Sequence, residues 1–283
     1  MNSGHNQQLC LGTWFGGRNI SSDEMRRVYD GAAELGIAAF DTSPRYCEGR
    51  SESALGKWIS ASCIREIEIT TKIYTHELLP ALSHQKALQH ARASVLRSIE
   101  RLSISSATTV LIETADVALD PSWLMECIYI LLNTGVISGV ALNRPSWPLL
   151  MTALAASRCT GRGCFGIHTF YNSVVAESLH SEFDIYRAIG VPVAVYGILC
   201  GGVLGRGGRP HLYAQQWLAH LGLTGAMVGL DGLTKGAFTP DLMGILEPIR
   251  RESSIKTVIL GATNARQLKE LAAALVGDNH PNC

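Results

Sequence analysis

Short apolar runs alternate with longer segments of helical periodicity along almost the whole chain. A run of alternating or continuous apolar residues is typical of a strand, and apolar residues three and four positions apart are typical of a helix that packs one face on a core. The predicted strands cover 8–15, 38–43, 66–73, 108–114, 136–143, 165–172, 191–199 and 256–263. Five predicted helices cover 51–60, 83–101, 145–156, 182–189 and 240–252. Two others begin after Ser21 and at Asp120-Pro121, and the last follows Asn264 and ends at Val276.

Capping residues support several of these helix starts. Ser21 with Glu24 three residues later has the form of a capping box. Asp120 followed by Pro121 combines an N-cap with a first-turn proline, and Asn264 with Gln267 would cap the last helix.

Eight strand–helix units in strict order predict parallel strands joined by helical crossovers, and eight such units suit a closed (β/α)8 TIM barrel of class α/β. A doubly wound open sheet is the alternative. Its dinucleotide fingerprint would follow the first strand, but Gly12, Gly16 and Gly17 do not have the Gly-x-Gly-x-x-Gly spacing. We therefore expect residues 1–283 to form a single barrel domain.

Composition excludes several classes of partner. The formal net charge is zero and the pI is about 7.1, so we expect no nucleic acid and no membrane as partner. Residues 1–8 are polar, unlike a secretory signal, and no apolar stretch has the length of a membrane span. The eight cysteines show no Cys-x-x-Cys pair and no zinc-type spacing, which favours a reducing, cytoplasmic location and no metal.

Polar residues near the ends of predicted strands are the candidates for chemistry, since the carboxyl ends of barrel strands converge on one face. They are Asp41, Lys72, Glu113 and Asn143, with Tyr46 on the loop after Asp41. A phenol has an ordinary pKa of about 10 and is a poor acid at neutral pH, but a neighbouring ammonium favours its ionised form. A carboxylate beside that ammonium would keep it charged and oriented. The Gly-rich stretch 201–236 follows the seventh strand, and we expect it to be a flap over a ligand or a plain surface excursion.

Residues 36–56 carry the most specific pattern. They run from Gly36-Ile37 through Phe40-Asp41-Thr42-Ser43 and Tyr46 to Ser51-Glu52 and Leu55-Gly56. This segment resembles the second strand–helix unit of the aldo-keto reductases and departs from it at Cys47, where that family prefers Gly. The resemblance extends from Leu11-Gly12-Thr13-Trp14 to the last helix. It implies that Asp41, Tyr46 and Lys72 are three members of the family's catalytic tetrad, with Tyr46 as proton donor to the substrate oxygen while a nicotinamide supplies hydride.

Glu113 stands where the family carries a His. That His donates a hydrogen bond to the carbonyl, whereas an ionised Glu can only accept one. Three interpretations stay open: Glu113 is protonated by burial and donates, as in relatives resembling steroid double-bond reductases; it is ionised and acts as a base for isomerisation or elimination; or it is an inert substitution.

The resemblance implies NADP(H) as cofactor, although several of its contacts are altered. Asn143 and Arg144 replace the Ser-Asn pair that holds the carboxamide, His168 stands near an expected Gln, Tyr196 would stack on the nicotinamide, and Gly197-Ile198-Leu199 replaces Ser-Pro-Leu. Residues 260–270 match the phosphate-binding segment, in which Arg266 would grip a 2′-phosphate, although Leu271 replaces an Asn. The cofactor site so implied comprises Thr13, Trp14, Asn143, Arg144, His168, Tyr196, Leu199, Gly201, Gly261, Thr263, Arg266, Gln267 and Glu270.

The leading hypothesis is an NADP(H)-dependent oxidoreductase acting on a small carbonyl or conjugated enone-like or imine-like substrate. The second is a non-redox lyase, dehydratase or isomerase on the same barrel. The third is a catalytically silent subunit that binds nucleotide, against which the joint presence of Asp41, Tyr46 and Lys72 counts.

Overall fold

The computed structural model describes residues 7–14, 21–62, 64, 66–75, 83–114, 119–160, 165–202, 204 and 241–276. Eight strands form a closed barrel in chain order, and every strand pairing that is resolved in register is parallel. The strands are β1 Gln8–Gly12, β2 Ala39–Asp41, β3 Glu68–Tyr74, β4 Ala107–Glu113, β5 Ile137–Asn143, β6 Phe165–Phe170, β7 Val193–Tyr196 and β8 Ile255–Gly261. The predicted (β/α)8 barrel is thereby confirmed.

One helix of the described residues follows each strand. The helices are α1 Ser22–Glu34, α2 Arg50–Ala61, α3 His84–Leu102, α4 Pro121–Leu132, α5 Trp147–Thr160, α6 His180–Ile189, α7 Leu242–Arg251 and α8 Ala265–Val276. A short 3₁₀ turn, Cys200–Gly202, follows β7. No helix of these described stretches combines the length and the apolar character that a membrane span requires.

The expected helix caps at Ser21 and Asp120 are present, and the start of one helix differs from the prediction. The Ser21 hydroxyl accepts from the Glu24 amide at 3.2 Å, while the Glu24 carboxylate bonds to Arg27. Asp120 accepts from the Ser122 amide at 2.8 Å, as an N-cap should. The helix predicted to open at Ser51 begins one residue earlier, after a left-handed Gly49 (φ 83°).

Most predicted strands are longer than the observed ones, and the first, second and seventh differ most. The prediction 8–15 extends beyond β1, which ends at Gly12, and the predictions 38–43 and 191–199 extend beyond both ends of β2 and β7. After β7 the chain turns while Ile198 and Leu199 stay apolar, which periodicity alone cannot detect. Of the stretch 201–236, expected to be a flap or a plain surface excursion, only 201, 202 and 204 belong to the described residues, and the rest lies outside them.

The Cα positions cluster into two compact units. The larger contains the described residues within Cys10–Thr169 and Gly261–Leu268, and the smaller contains those within Met1–Leu9, Phe170–Leu260 and Lys269–Cys283. In the smaller unit Arg187 bonds to the Glu252 carboxylate at 2.7 Å, and the Asn172 amide donates to the Gly197 carbonyl at 3.0 Å. Each unit is described separately below.

In the larger unit an aromatic cluster covers the outer side of β2. Phe40, Tyr29 and Trp58 pack with ring centroids 5.4 to 6.2 Å apart. The Trp58 indole also donates to Asp30 at 2.9 Å. Because successive strand residues point to opposite sides, burying Phe40 against the helices directs its neighbour Asp41 to the other side of the strand.

Helices α2 and α3 approach closely behind β3. A Cβ added at Gly56 would lie 2.6 Å from the backbone of Arg101 and Leu102, so only glycine permits this distance. Beside it the fully buried Glu52 accepts from Thr71 at 2.7 Å and from Arg101 at 2.6 Å. A buried carboxylate needs such partners, and these join α2, β3 and α3.

Candidate active site

Four of the predicted site residues lie at or near the carboxyl ends of neighbouring strands. Asp41, Glu113 and Asn143 are the last residues of β2, β4 and β5, and Lys72 lies two residues before the end of β3. In the parallel register Glu113 lies opposite Asn143, which in turn lies opposite His168 of β6. All five residues belong to the larger unit, which therefore contains the whole proposed catalytic set with Tyr46.

Asp41 and Lys72 form a buried ion pair. The Lys72 ammonium donates to both carboxylate oxygens of Asp41 at 2.6 Å and to the Thr42 carbonyl at 3.2 Å. Both side chains are 7% exposed. Burial is the largest single effect and lowers the pKa of Lys72, but the charge and hydrogen bonds of Asp41, together with Tyr74 and Glu113, exceed it and the pKa is raised. Lys72 is therefore a fixed positive charge at neutral pH.

Tyr46 stands beside this pair on the loop between β2 and α2. The Lys72 ammonium lies 5.2 Å from the centroid of the Tyr46 ring, within the range of a cation–π contact. The side chain of Tyr46 is half-buried. The structure thus brings Asp41, Tyr46 and Lys72 close together, as the sequence predicts.

The loop that carries Tyr46 is held in an unusual backbone conformation. Cys47, Glu48 and Gly49 have φ values of 52°, 60° and 83° in succession. Left-handed backbone favours glycine, which gives a physical reason for the family's preference for Gly at the position of Cys47. The next turn is tied down because the Ser51 hydroxyl donates to the Thr13 carbonyl at 2.7 Å.

Glu113 is held by Asn143. The Asn143 amide nitrogen donates to Glu113 Oε2 at 2.6 Å, and the Asn143 carbonyl accepts from Thr114 at 2.7 Å. Asn143 was expected to hold a nicotinamide carboxamide, and here its side chain also orients the residue that replaces the family's His. The Glu113 carbonyl accepts from Thr75 at 2.7 Å.

Tyr74 is a site residue that the sequence reading missed. It ends β3 opposite Glu113, and its hydroxyl shares a 2.8 Å hydrogen bond with Ser43. Burial and the neighbouring Tyr46 raise its pKa well above the ordinary value, so it stays a neutral phenol. The signal was available, because Tyr74 is two residues after Lys72 and period-two alternation puts both on one side of the strand.

His168 is buried behind Asp41. Its Nδ1 lies 4.0 Å from Asp41 Oδ2, and burial lowers the pKa of the imidazole to about 4. The ring is therefore neutral at pH 7 and forms no ion pair there. The neighbouring Arg144 has a left-handed backbone (φ 45°), and its amide donates to the His168 carbonyl at 3.0 Å.

The residues expected to bind the cofactor phosphate lie at the start of α8. Gln267 Oε1 accepts from both the amide and the hydroxyl of Thr263, and the Gln267 amide donates to Asn264 at 2.9 Å. The exposed side chain of Arg266 stands in the first turn of this helix, whose amino end is favourable for anions. Gly261, at the end of β8, leads into this turn.

The remaining expected cofactor residues lie at several places in the two units. Thr13 is buried and Trp14 half-buried just after β1 in the larger unit. In the smaller unit Tyr196 packs edge-on against Phe170 with centroids 6.1 Å apart, and Gly201 is left-handed (φ 66°) in the 3₁₀ turn. Leu199 and Glu270 are half-buried. Their roles toward a cofactor stay predictions.

Within the described ranges no group of three or more His, Cys, Asp or Glu side chains could hold a metal ion. Cys10, Cys47, Cys127, Cys159 and Cys200 are free thiols.

A comparison with known families agrees with the geometry. The sequence model described as the Aldo/keto reductase family matches residues 8–219, which is well over half of the 283-residue chain. The match includes every residue of the group Asp41, Tyr46, Lys72, Glu113 and Asn143. It ends before the α8 segment that was expected to bind the cofactor phosphate. With its eight-stranded parallel barrel, this chain belongs to the aldo/keto reductase family, which is a family of oxidoreductases.

Proposed function

We propose that the protein is an NADP(H)-dependent reductase of a small carbonyl or conjugated enone-like or imine-like substrate, in which Tyr46 transfers the proton. The observation that carries the proposal is the buried Asp41–Lys72 pair with its ammonium 5.2 Å from the Tyr46 ring. A general acid works best when its pKa lies near the operating pH. A permanent positive charge beside a phenol favours its ionised form and therefore lowers its pKa toward that range.

The chain's own residues divide the task as follows. Lys72 stabilises negative charge on the Tyr46 oxygen as its proton leaves for the substrate. Asp41 keeps Lys72 protonated and in place through two 2.6 Å hydrogen bonds. NADPH, when bound, supplies the hydride.

Glu113 supports a conjugated substrate over a simple aldehyde. The Asn143 amide holds one oxygen of its carboxyl group at 2.6 Å, so the group has a set orientation. A protonated carboxyl group in that position donates to a substrate oxygen as the family's His would, and it does so as a neutral acid. Reduction of a polarised C=C bond next to a carbonyl uses such a donor on the carbonyl oxygen.

The phosphate end of the cofactor site supports NADP(H) over NAD(H). Arg266 is exposed in the first turn of α8, and a guanidinium binds a phosphate through two parallel hydrogen bonds. Thr263 and Gln267 form a preorganised turn beside it. The Arg266 guanidinium is the group suited to a 2′-phosphate, which NAD(H) lacks.

A non-redox lyase, dehydratase or isomerase is the second candidate, and one observation favours it. The Asn143 amide is engaged by Glu113, and Arg144 stands where the family has Asn, so the carboxamide contacts differ from those of the family. In that case Tyr46, Lys72 and an ionised Glu113 would act as acid and base groups without a cofactor.

One experiment on Tyr46→Phe separates these candidates. Binding of NADPH and NADH is measured by calorimetry, and turnover of a panel of enones and aldehydes is followed by NADPH absorbance. For a reductase we expect NADPH to bind more tightly than NADH to both wild type and Tyr46→Phe, and turnover to fall by about 10²- to 10⁴-fold in the variant.

The contrary results are equally specific. Near-normal turnover in Tyr46→Phe would remove Tyr46 from the mechanism. Equal affinity for NADPH and NADH would contradict the role of Arg266. Binding of neither cofactor would favour the non-redox candidate.

A further inference from the structure

A pocket lined by arginines lies outside the group of catalytic residues. Its volume is about 210 Å³, and it is enclosed by the loop between β2 and α2, the end of β3 and the outer turns of α3. The side chains that matter are those of Arg45, Tyr74, Ser94, Arg97 and Arg101. We call it the arginine pocket, and all of it belongs to the larger unit.

Two of the three guanidinium groups are held by neighbours. The Arg45 guanidinium lies over the Tyr74 ring, 4.3 Å from its centroid. Arg101 donates to the buried Glu52 at 2.6 Å and to Ser98 at 3.1 Å. Arg97 and Arg101 are one helical turn apart on α3, so both reach the same side of that helix. The pocket is therefore largely preformed.

Positive charge exceeds negative charge at this place. Glu52 pairs with Arg101, whereas Arg97 is exposed and forms no ion pair with any residue in the described part of the chain. The whole protein has a formal net charge of zero, so this concentration is local. Like charges gathered around a small space repel one another, and an anion between them relieves that repulsion.

The geometry points to an oxyanion-binding site in the arginine pocket, which takes the phosphate or carboxylate group of a small molecule. Guanidinium groups match both groups bidentately, and the half-buried Ser94 hydroxyl is a further donor. A pocket of about 210 Å³ is below the usual range of about 300–1,000 Å³ for sites that enclose a whole drug-sized ligand. It therefore fits the anionic end of a ligand better than a complete nucleotide.

This site is separate from the phosphate site expected at α8, because the two share no residue. It is adjacent to the catalytic group, because Tyr74 lines the pocket and also lies opposite Glu113 on the neighbouring strand. The inference does not depend on the proposed reductase activity, since it concerns binding alone.

The test is calorimetric titration of the whole protein with inorganic phosphate, and in a second arm with acetate, at constant ionic strength set by sodium chloride. Three variants are compared with wild type. Arg97→Gln removes the exposed guanidinium of the pocket, Arg92→Gln removes an exposed guanidinium elsewhere on α3, and Arg266→Gln removes the one at α8.

We expect Arg97→Gln to weaken one binding event for phosphate or acetate by about tenfold or more, Arg92→Gln to bind as wild type does, and Arg266→Gln to keep the binding event that Arg97→Gln loses. The arm with the tighter binding identifies the group that the pocket prefers. The inference is overturned if neither anion binds wild type, if Arg97→Gln binds as wild type does, or if the loss occurs in Arg266→Gln instead.

Discussion

Asp41 and Lys72 are two opposite charges with side chains only 7% exposed, and such a pair is expensive to bury. A buried ion pair rarely stabilises a protein more than apolar residues of the same size would. Its presence beside Tyr46 therefore needs a reason other than stability, and maintaining a positive charge next to a phenol provides one.

Substitutions of Glu113 test whether its carboxyl group is protonated and donates a hydrogen bond to the substrate. Gln also donates a hydrogen bond, so Glu113→Gln should retain turnover within about tenfold if the carboxyl group acts as a neutral donor. Glu113→His should raise the reduction of generic aldehydes at the expense of the native reaction. Initial rates with NADPH on an aldehyde and an enone measure both effects.

A substitution of Asn143, which donates a hydrogen bond to Glu113, provides the control for the Glu113 variants. Asn143→Ala removes the 2.6 Å contact and should lower turnover without changing the preference between aldehyde and enone. Loss of all turnover in Glu113→Gln would instead identify Glu113 as a base. If wild type already reduces aldehydes efficiently and Glu113→His changes nothing, the substitution at this position is neutral.

His168 makes stability depend on pH. Its folded pKa is about 4, against an ordinary 6.5, so between these values the unfolded chain binds a proton that the folded chain does not. Stability is therefore lost as the pH falls from 6.5 to 4, by about 3 kcal/mol from this group. His168→Gln should remove that part of the acid sensitivity in urea unfolding at pH 7 and pH 4.5. A pH dependence equal to wild type would refute the assignment.

At the scale of elements, the contact between α2 and α3 has no tolerance for a side chain at Gly56. Gly56→Ala places a Cβ 2.6 Å from the backbone of α3, so the helices must separate. We expect a loss of about 1–3 kcal/mol in the free energy of unfolding, although alanine is the better helix former. The exposed Lys57→Ala on the same helix is the matched control and should be close to neutral in urea unfolding. If Gly56→Ala and Lys57→Ala were equally stable, α2 would be able to move away from α3 without a loss of stability, and the prediction would be wrong.

The elements themselves were largely predictable, because strict alternation of periodicity leaves few folds open. The proximity of Asp41, Tyr46 and Lys72 was predictable from their places near strand ends and from the family pattern. Three things were not predictable. The left-handed Cys47 depends on how the loop closes, the role of Asn143 depends on a register that sets it opposite Glu113, and the arginine pocket depends on which turns of α3 approach the β2–α2 loop. The exposure of Leu96 was not predictable either, because this residue follows the apolar helical pattern of α3 but is 37% exposed.

At the scale of the whole molecule, zero formal net charge and a pI of about 7.1 predict a solubility minimum near neutral pH. Like-charge repulsion between copies is weakest there. Precipitation by polyethylene glycol should need less precipitant at pH 7 than at pH 9. The difference should shrink at high sodium chloride, which screens the repulsion. A flat profile across this range would show that patches on the surface, not net charge, control association.

The aromatic cluster of Tyr29, Phe40 and Trp58 also gives β2, the strand that carries Asp41, a spectroscopic signature. Its rings are close and tilted, at 44° to 78° to one another, which is the asymmetric arrangement that gives near-ultraviolet circular dichroism. Phe40 is the residue immediately before Asp41, so a displaced β2 would alter that optical signature. An inactive variant with an unchanged signature has therefore lost chemistry, whereas one with an altered signature has lost its scaffold. The molecule thus contains a built-in reporter by which the two kinds of failure can be distinguished without a label.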